Sequence, residues 1–188
     1  MLSVKEKQNK AFENLSEPLQ MKNRMAIPRL VKVVISVGTG SVKDKKRLEV
    51  IEDRLMKITG QKSAPRVAKK SIASFKLREG QAIGYQVTLR GPRMYDFLDR
   101  LINIALPRTR DFRGINRSSI DPMGNLSIGL REHSIFPETA DEEIKDVFSL
   151  AVTIVTTAKD KATAEKYFEY IGIPFKKVGD EVKKKRGR

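Results

Sequence analysis

Residues 83–90, IGYQVTLR, alternate strictly: Ile83, Tyr85, Val87 and Leu89 fall on one side, Gly84, Gln86, Thr88 and Arg90 on the other. Successive side chains of an extended chain project to opposite faces, so this pattern describes a strand with one apolar and one polar face. Gly91-Pro92 ends it, and Pro at a first helical position starts a helix whose stripe is Met94, Leu98, Leu101 and Ile102 until Pro107 closes it.

Working outward, the strand sits inside the most basic part of the chain. Residues 61–93, QKSAPRVAKKSIASFKLREGQAIGYQVTLRGPR, carry eight Lys and Arg against one acid, Glu79. Small residues separate the charges, which lets a flat partner approach the backbone. Such a one-sided surface repels itself unless a polyanion covers it. Short strands are expected near 64–67 and 73–77, with VAKKSI an exposed excursion between them. Upstream, RLVKVVISV (29–37) reads as a strand with Val31, Val33, Ile35 and Val37 on one face and Lys32, Val34 and Ser36 on the other. Gly38-Thr39-Gly40 turns it into a helix at about 43–59, striped by Leu48, Ile51, Leu55 and Ile58 and stopped by Gly60. A peripheral helix over 2–20, striped by Phe12, Leu15 and Leu19, precedes the connector 21–28.

Downstream, 108–125 reads as a basic loop, and NLSIGL (125–130) alternates again. Thr139 with Glu142 makes a capping-box start for a short acidic helix. Residues 147–157, VFSLAVTIVTT, form the longest strand, with Ser149, Thr153 and Thr157 opposite Phe148, Leu150, Val152 and Ile154. A last helix spans about 160–171. Each strand pairs a bulky face with a small, polar or basic one, so helices cover the first and leave the second open. The expected class is α+β: one domain over 1–177 with a twisted, mainly antiparallel sheet, helices on one face and an open RNA-facing side. Residues 178–188 lack apolar groups to bury and read as a basic, disordered tail.

Composition narrows the function. The chain of 188 residues has a formal charge of +15, no cysteine and one histidine. Charge is polarised: 61–117 carries 13 basic and 4 acidic residues, 118–171 carries 5 and 10. An open face of hydroxyls, amides and Arg docks RNA by shape, phosphate and 2′-OH contacts. No run approaches the roughly 18–20 apolar residues of a membrane span, and the N-terminus lacks a signal-type apolar core; the chain reads as cytosolic. GTGSVKDKK (38–46) resembles a phosphate loop but completes neither G-x-x-x-x-G-K-[ST] nor G-x-G-x-x-G. His133 beside Glu132, or with Asp121, is the one acid–base pairing available, and no second His or Cys completes a metal site or a dyad. No enzyme, cofactor, metal or small-molecule substrate is expected. Two rivals remain: a polyanion- or membrane-surface module without RNA specificity, and an enzyme built on His133.

Four ordered blocks carry a resemblance: GQKSAPRVAKKSIASFKLREG (60–80), VTLRGPRMYDFLDRL (87–101), PRTRDFRG (107–114) and GNLSIGLREHSIFPE (124–138). They resemble the family of large-subunit ribosomal protein number five in its bacterial form, and the likeness runs from about 2 to 176. The resemblance implies a structural ribosomal protein that binds 5S rRNA and helps attach it in the central protuberance. Its partners would be 5S rRNA, 23S-type large-subunit rRNA, P-site tRNA and neighbouring central-protuberance proteins, with no membrane. It marks Gln61, Thr88 and a first-strand position, here Ser36, as RNA contacts. The family has Asn at that position; Ser offers one hydroxyl where Asn offers an amide donor and acceptor. With Lys32 of the first strand and the basic residues of these blocks, the expected rRNA-binding set is Lys32, Ser36, Gln61, Lys62, Arg66, Thr88, Arg90, Arg93, Arg110 and Arg113. The loop expected to touch tRNA is about 68–80, with Lys69, Lys70, Ser71, Lys76 and Arg78.

Overall fold

The computed structural model describes residues 2–42, 44–139 and 147–176. Five strands form one antiparallel sheet in the order β2-β3-β1-β5-β4. They are β1 (Leu30–Gly38), β2 (Ala64–Val67), β3 (Ala82–Leu89), β4 (Leu126–Leu130) and β5 (Leu150–Thr156). The helices are α1 (Val4–Leu15), α2 (Lys45–Thr59), α3 (Pro92–Arg100), a short α4 (Leu106–Arg108) and α5 (Lys161–Ile171). The alternating residues read from sequence form the core: Val33, Ile35, Val87, Leu89, Leu126, Val152 and Ile154 are buried with Leu55, Phe97 and Phe168 from the helices. This is the expected α+β arrangement.

Several local expectations give way to identifiable physics. Val31 is 37% exposed because β1 bulges between Leu30 and Lys32 against β5. The extra residue turns Leu30 inward in its place. The segment 73–77 is not a strand. Ala73–Phe75 makes one turn of 3₁₀ helix, and only Ile72 and Leu77 pair across it. Pro107 does not end its helix at once: a π-helical segment, Leu101–Ala105, widens the chain ahead of it and a final turn follows. The wider turn accommodates a residue that lacks a donor and crowds the preceding turn.

Helix α1 is shorter than its expected 2–20 and is not peripheral. A capping box of Ser3 and Glu6 begins it, and the chain leaves helix after Leu15. Val4, Ala11 and Leu15 are buried, and Lys7 donates to the Ile171 carbonyl at 2.5 Å. Residues 108–125 are likewise more than a loop. Ile115 donates to Pro174 (2.8 Å) and accepts from Lys176 (2.9 Å), while Arg117 pairs with Glu165 and Glu169 on α5. The acidic helix expected from Thr139 and the tail 178–188 lie outside the described residues.

Candidate nucleic-acid interface

Strand register assembles the open face. Ser36 stands between Gln86 of β3 and Ala151 of β5; Gln86 faces Ala64 of β2, and Ala151 faces Gly129 of β4. The adjacent row is Thr88, Val34, Thr153 and Ser127. At strand spacing of about 4.8 Å the two rows make a shelf roughly 20 Å wide. It holds no acid and no aromatic, and its side chains are short, so a polyanion can approach close to the backbone. Hydroxyls of Ser127 and Thr153 sit 3.3 Å apart and share a hydrogen bond. These groups can meet phosphate oxygens and ribose hydroxyls.

Basic residues rim the shelf. Lys32 lies opposite Val155 near one end, and exposed Arg90 follows Leu89 at the same end. Exposed Arg66 lies opposite Gly84, its Nε donating to Gln86 Oε1 at 2.5 Å, which lays the guanidinium against the shelf. Gln61 occupies the turn between α2 and β2. Its backbone N–H donates to the Thr59 hydroxyl (3.3 Å), which itself lies within donating distance of the Leu55 (2.7 Å) and Gln61 (3.0 Å) carbonyls. That leaves the half-buried Gln61 side chain uncommitted to the turn, with exposed Lys62 beside it. Arg93 is exposed in the first turn of α3.

The expected set therefore does not form one cluster. Lys32, Ser36, Arg66 and Thr88 share the face, with Arg90 at its end. Arg110 and Arg113 stand instead at the opposite edge, where a cavity of about 980 Å³ opens between Arg108, Arg110 and Arg113 on one side and Ser127, Gly129 and Arg131 of the β4 region on the other. Gln86, Thr153 and Ser127 were missed as site residues. Alternation within its own strand already put Gln86 beside Thr88, but only the register brings Gln86 opposite Ser36 and lines Thr153 and Ser127 up in the row of Thr88.

The excursion between β2 and β3 is a closed hairpin. Ala68 donates to Gln81 (2.9 Å) and Gly80 to Ala68 (3.0 Å) at its base; Ile72 and Leu77 exchange bonds of 3.1 and 3.2 Å near its tip. Ser71, expected to meet tRNA, has its hydroxyl engaged in the hairpin, accepting from the Glu79 N–H at 2.9 Å. Lys69, Lys70, Lys76 and Arg78 are exposed, and none forms an ion pair among the described residues.

The motifs set aside on sequence grounds are accounted for. His133 is 1% exposed, stacked on Phe148 at 4.2 Å between centroids, with Nδ1 accepting from the Phe148 N–H (3.4 Å) and Nε2 3.4 Å from Arg54 Nη1. It is a core residue with no route to a substrate. Asp121 is engaged in a turn by the backbone and side-chain N–H groups of Asn125 at 2.7 and 2.9 Å. Partial burial raises its pKa, but those bonds and one from the Met123 backbone outweigh it and hold the carboxyl below its ordinary range. At the start of α2, the Asp44 carboxylate accepts from the Lys46 N–H (3.0 Å), filling the place an anion would take. Among the described residues no group of His, Asp and Glu is placed to hold a metal, and no helix is long and apolar enough to cross a membrane.

A sheet covered by helices on one side and rimmed by Lys and Arg on the other has the form of a binding surface for a polyanion. Comparison with known proteins narrows this to one family. The family model for ribosomal protein L5 matches residues 23–78, and a second model, for the C-terminus of the same ribosomal family, matches 82–175. The chain is 48% identical over 171 residues to the large ribosomal subunit protein uL5 of Desulforamulus reducens, covering 90% of this chain and 94% of that protein. It is 49% identical over 170 residues to the uL5 of Chloroflexus aurantiacus strain J-10-fl (90% and 94%), and 43% identical over 178 residues to that of Sulfurimonas denitrificans (94% and 98%). The chain belongs to the L5 family of large-subunit ribosomal proteins, and is a structural protein, not an enzyme.

Proposed function

We propose that this protein binds 5S rRNA through the open face of its sheet, attaches it in the central protuberance of the large subunit, and reaches P-site tRNA with the 68–80 hairpin. The observation that carries the reading is the shelf itself: uncharged side chains in register over five strands, five of them hydroxyl or amide (Ser36, Gln86, Thr88, Ser127 and Thr153), free of acids and rimmed by Lys32, Arg66 and Arg90. Side chains of this type make sequence-independent contacts to phosphate and sugar, and the hydroxyls and Gln61 fix register. Arg110 and Arg113 extend the contact past β4 toward large-subunit rRNA. Lys69, Lys70, Lys76 and Arg78 meet tRNA phosphates as point or forked charges.

Phosphate contacts release counterions, so affinity falls with salt in proportion to the number of phosphates neutralised. The double substitution Arg66→Ala with Arg90→Ala should weaken 5S rRNA binding and flatten the slope of log affinity against log salt by about 1 to 2. A titration at four salt concentrations measures it. An unchanged slope removes both residues from the interface.

A further inference from the structure

Phe75 stands apart from everything the open face accounts for. It is 71% exposed and is the only aromatic among the strongly exposed large hydrophobic residues described. It closes the 3₁₀ turn Ala73–Phe75 at the tip of the hairpin, immediately before Lys76, whose φ of +52° reverses the chain. The hairpin holds that turn from both sides: Ile72 and Leu77 exchange backbone bonds below it, Lys76 donates to the Ala73 carbonyl at 3.0 Å, and Ser71 receives the Glu79 N–H. A mobile tip would lose entropy on binding; here the backbone under the ring is already fixed. Exposed Lys69, Lys70, Lys76 and Arg78 lie on the same hairpin, Lys76 directly after the ring, and none is neutralised by an ion pair among the described residues.

A ring offered to water on a braced turn, in a hairpin that carries four exposed cations, matches the two-part chemistry of single-stranded nucleic-acid recognition. Cations hold the backbone and an aromatic face takes the base. We infer that Phe75 is a stacking platform for one unpaired nucleobase of the RNA that the hairpin meets. The inference rests on the reading of this hairpin as an RNA contact and adds the chemical group recognised at its tip. An apolar pocket on a protein partner is the competing occupant. The surrounding charge disfavours it, because protein interface cores are depleted of charged residues.

The chain contains no tryptophan, so Phe75→Trp introduces a single indole at the tip that keeps the stacking face and reports on it. The full-length protein is titrated with 5S rRNA and, in a separate arm, with tRNA. Indole emission should be quenched by whichever RNA supplies the base, and the two arms identify it. In the same titrations Phe75→Leu, apolar but without a π face, should bind that RNA about tenfold more weakly with an unchanged salt slope. Removing the charges at Lys69, Lys70, Lys76 and Arg78 should instead flatten the slope. If Phe75→Leu binds as the unaltered chain does while the charge variant weakens, the stacking role is wrong and the hairpin contact stands. If neither variant changes binding to either RNA and the indole is not quenched, the hairpin reading falls and the inference falls with it.

Discussion

A methyl group at position 84 has nowhere to go. A Cβ built there would lie 2.7 Å from the Val37 carbonyl oxygen, which is backbone and cannot swing aside. Gly84 is the residue of β3 that faces both Gly38 of β1 and Arg66 of β2. It thus lets β1 and β3 close together directly beside the shelf. Substitution by Val should destabilise the fold by about 2 kcal/mol, the usual effect of overpacking a fixed site. Urea unfolding measures it, and a midpoint equal to that of the unaltered chain would show that the strands have room after all. The alternation of IGYQVTLR made Gly84 legible as a face residue. Its close contact was not legible, because that depends on the curvature of a neighbouring strand. Phe75 was hidden for a related reason: reading 73–77 as a strand gave its ring a place in the sheet. Lys76 in the left-handed region instead folds the segment into a turn and leaves the ring outside.

At the scale of elements, the strands with strict alternation and the helices with a clean stripe were legible from sequence. What escaped depends on contacts between distant segments. The bulge that exchanges Val31 for Leu30 is a property of the β1–β5 pair, and the fixing of 108–125 needs Pro174, Lys176 and the acids of α5. The role of α1 was also hidden, since its charges suggested a peripheral helix. Gln8 of α1 accepts from the Leu30 N–H at 3.1 Å and from the Tyr167 hydroxyl, joining α1, β1 and α5. Burial pushes the Tyr167 phenol far above its ordinary pKa of about 10, with charge repulsion from Tyr95 and Tyr170 adding to it and hydrogen bonds opposing it. A raised folded-state pKa means full stability below the unfolded value, then loss as pH climbs toward the folded one. Thermal stability should therefore decline above about pH 10, and Tyr167→Phe should lessen the steepness of that decline while lowering stability at neutral pH through loss of the Gln8 bond. An alkaline decline as steep in Tyr167→Phe would assign it to other groups.

For the molecule as a whole, division of labour follows from the sheet. One face buries the apolar residues under the helices; the other is left short, hydroxylated and free of acids. Basic segments gather at its rim, at the hairpin and beside β4. That separation was visible as charge polarity along the chain. Its division into a central shelf, a projecting tip and an edge cavity was not, because strand order decides it. A basic surface alone would bind any polyanion; under the proposed function the shelf that carries Ser36 and Thr88 adds discrimination by shape. Recognition of 5S rRNA by the shelf can be tested by competition. Labelled 5S rRNA is bound by the full-length chain at two salt concentrations and challenged with excess unlabelled RNA of the same size but unrelated sequence. Recognition by the shelf requires that the complex survive the challenge at both concentrations and that unlabelled 5S rRNA displace it. Equal displacement by the unrelated RNA would contradict the claim and reduce the surface to a general polyanion binder.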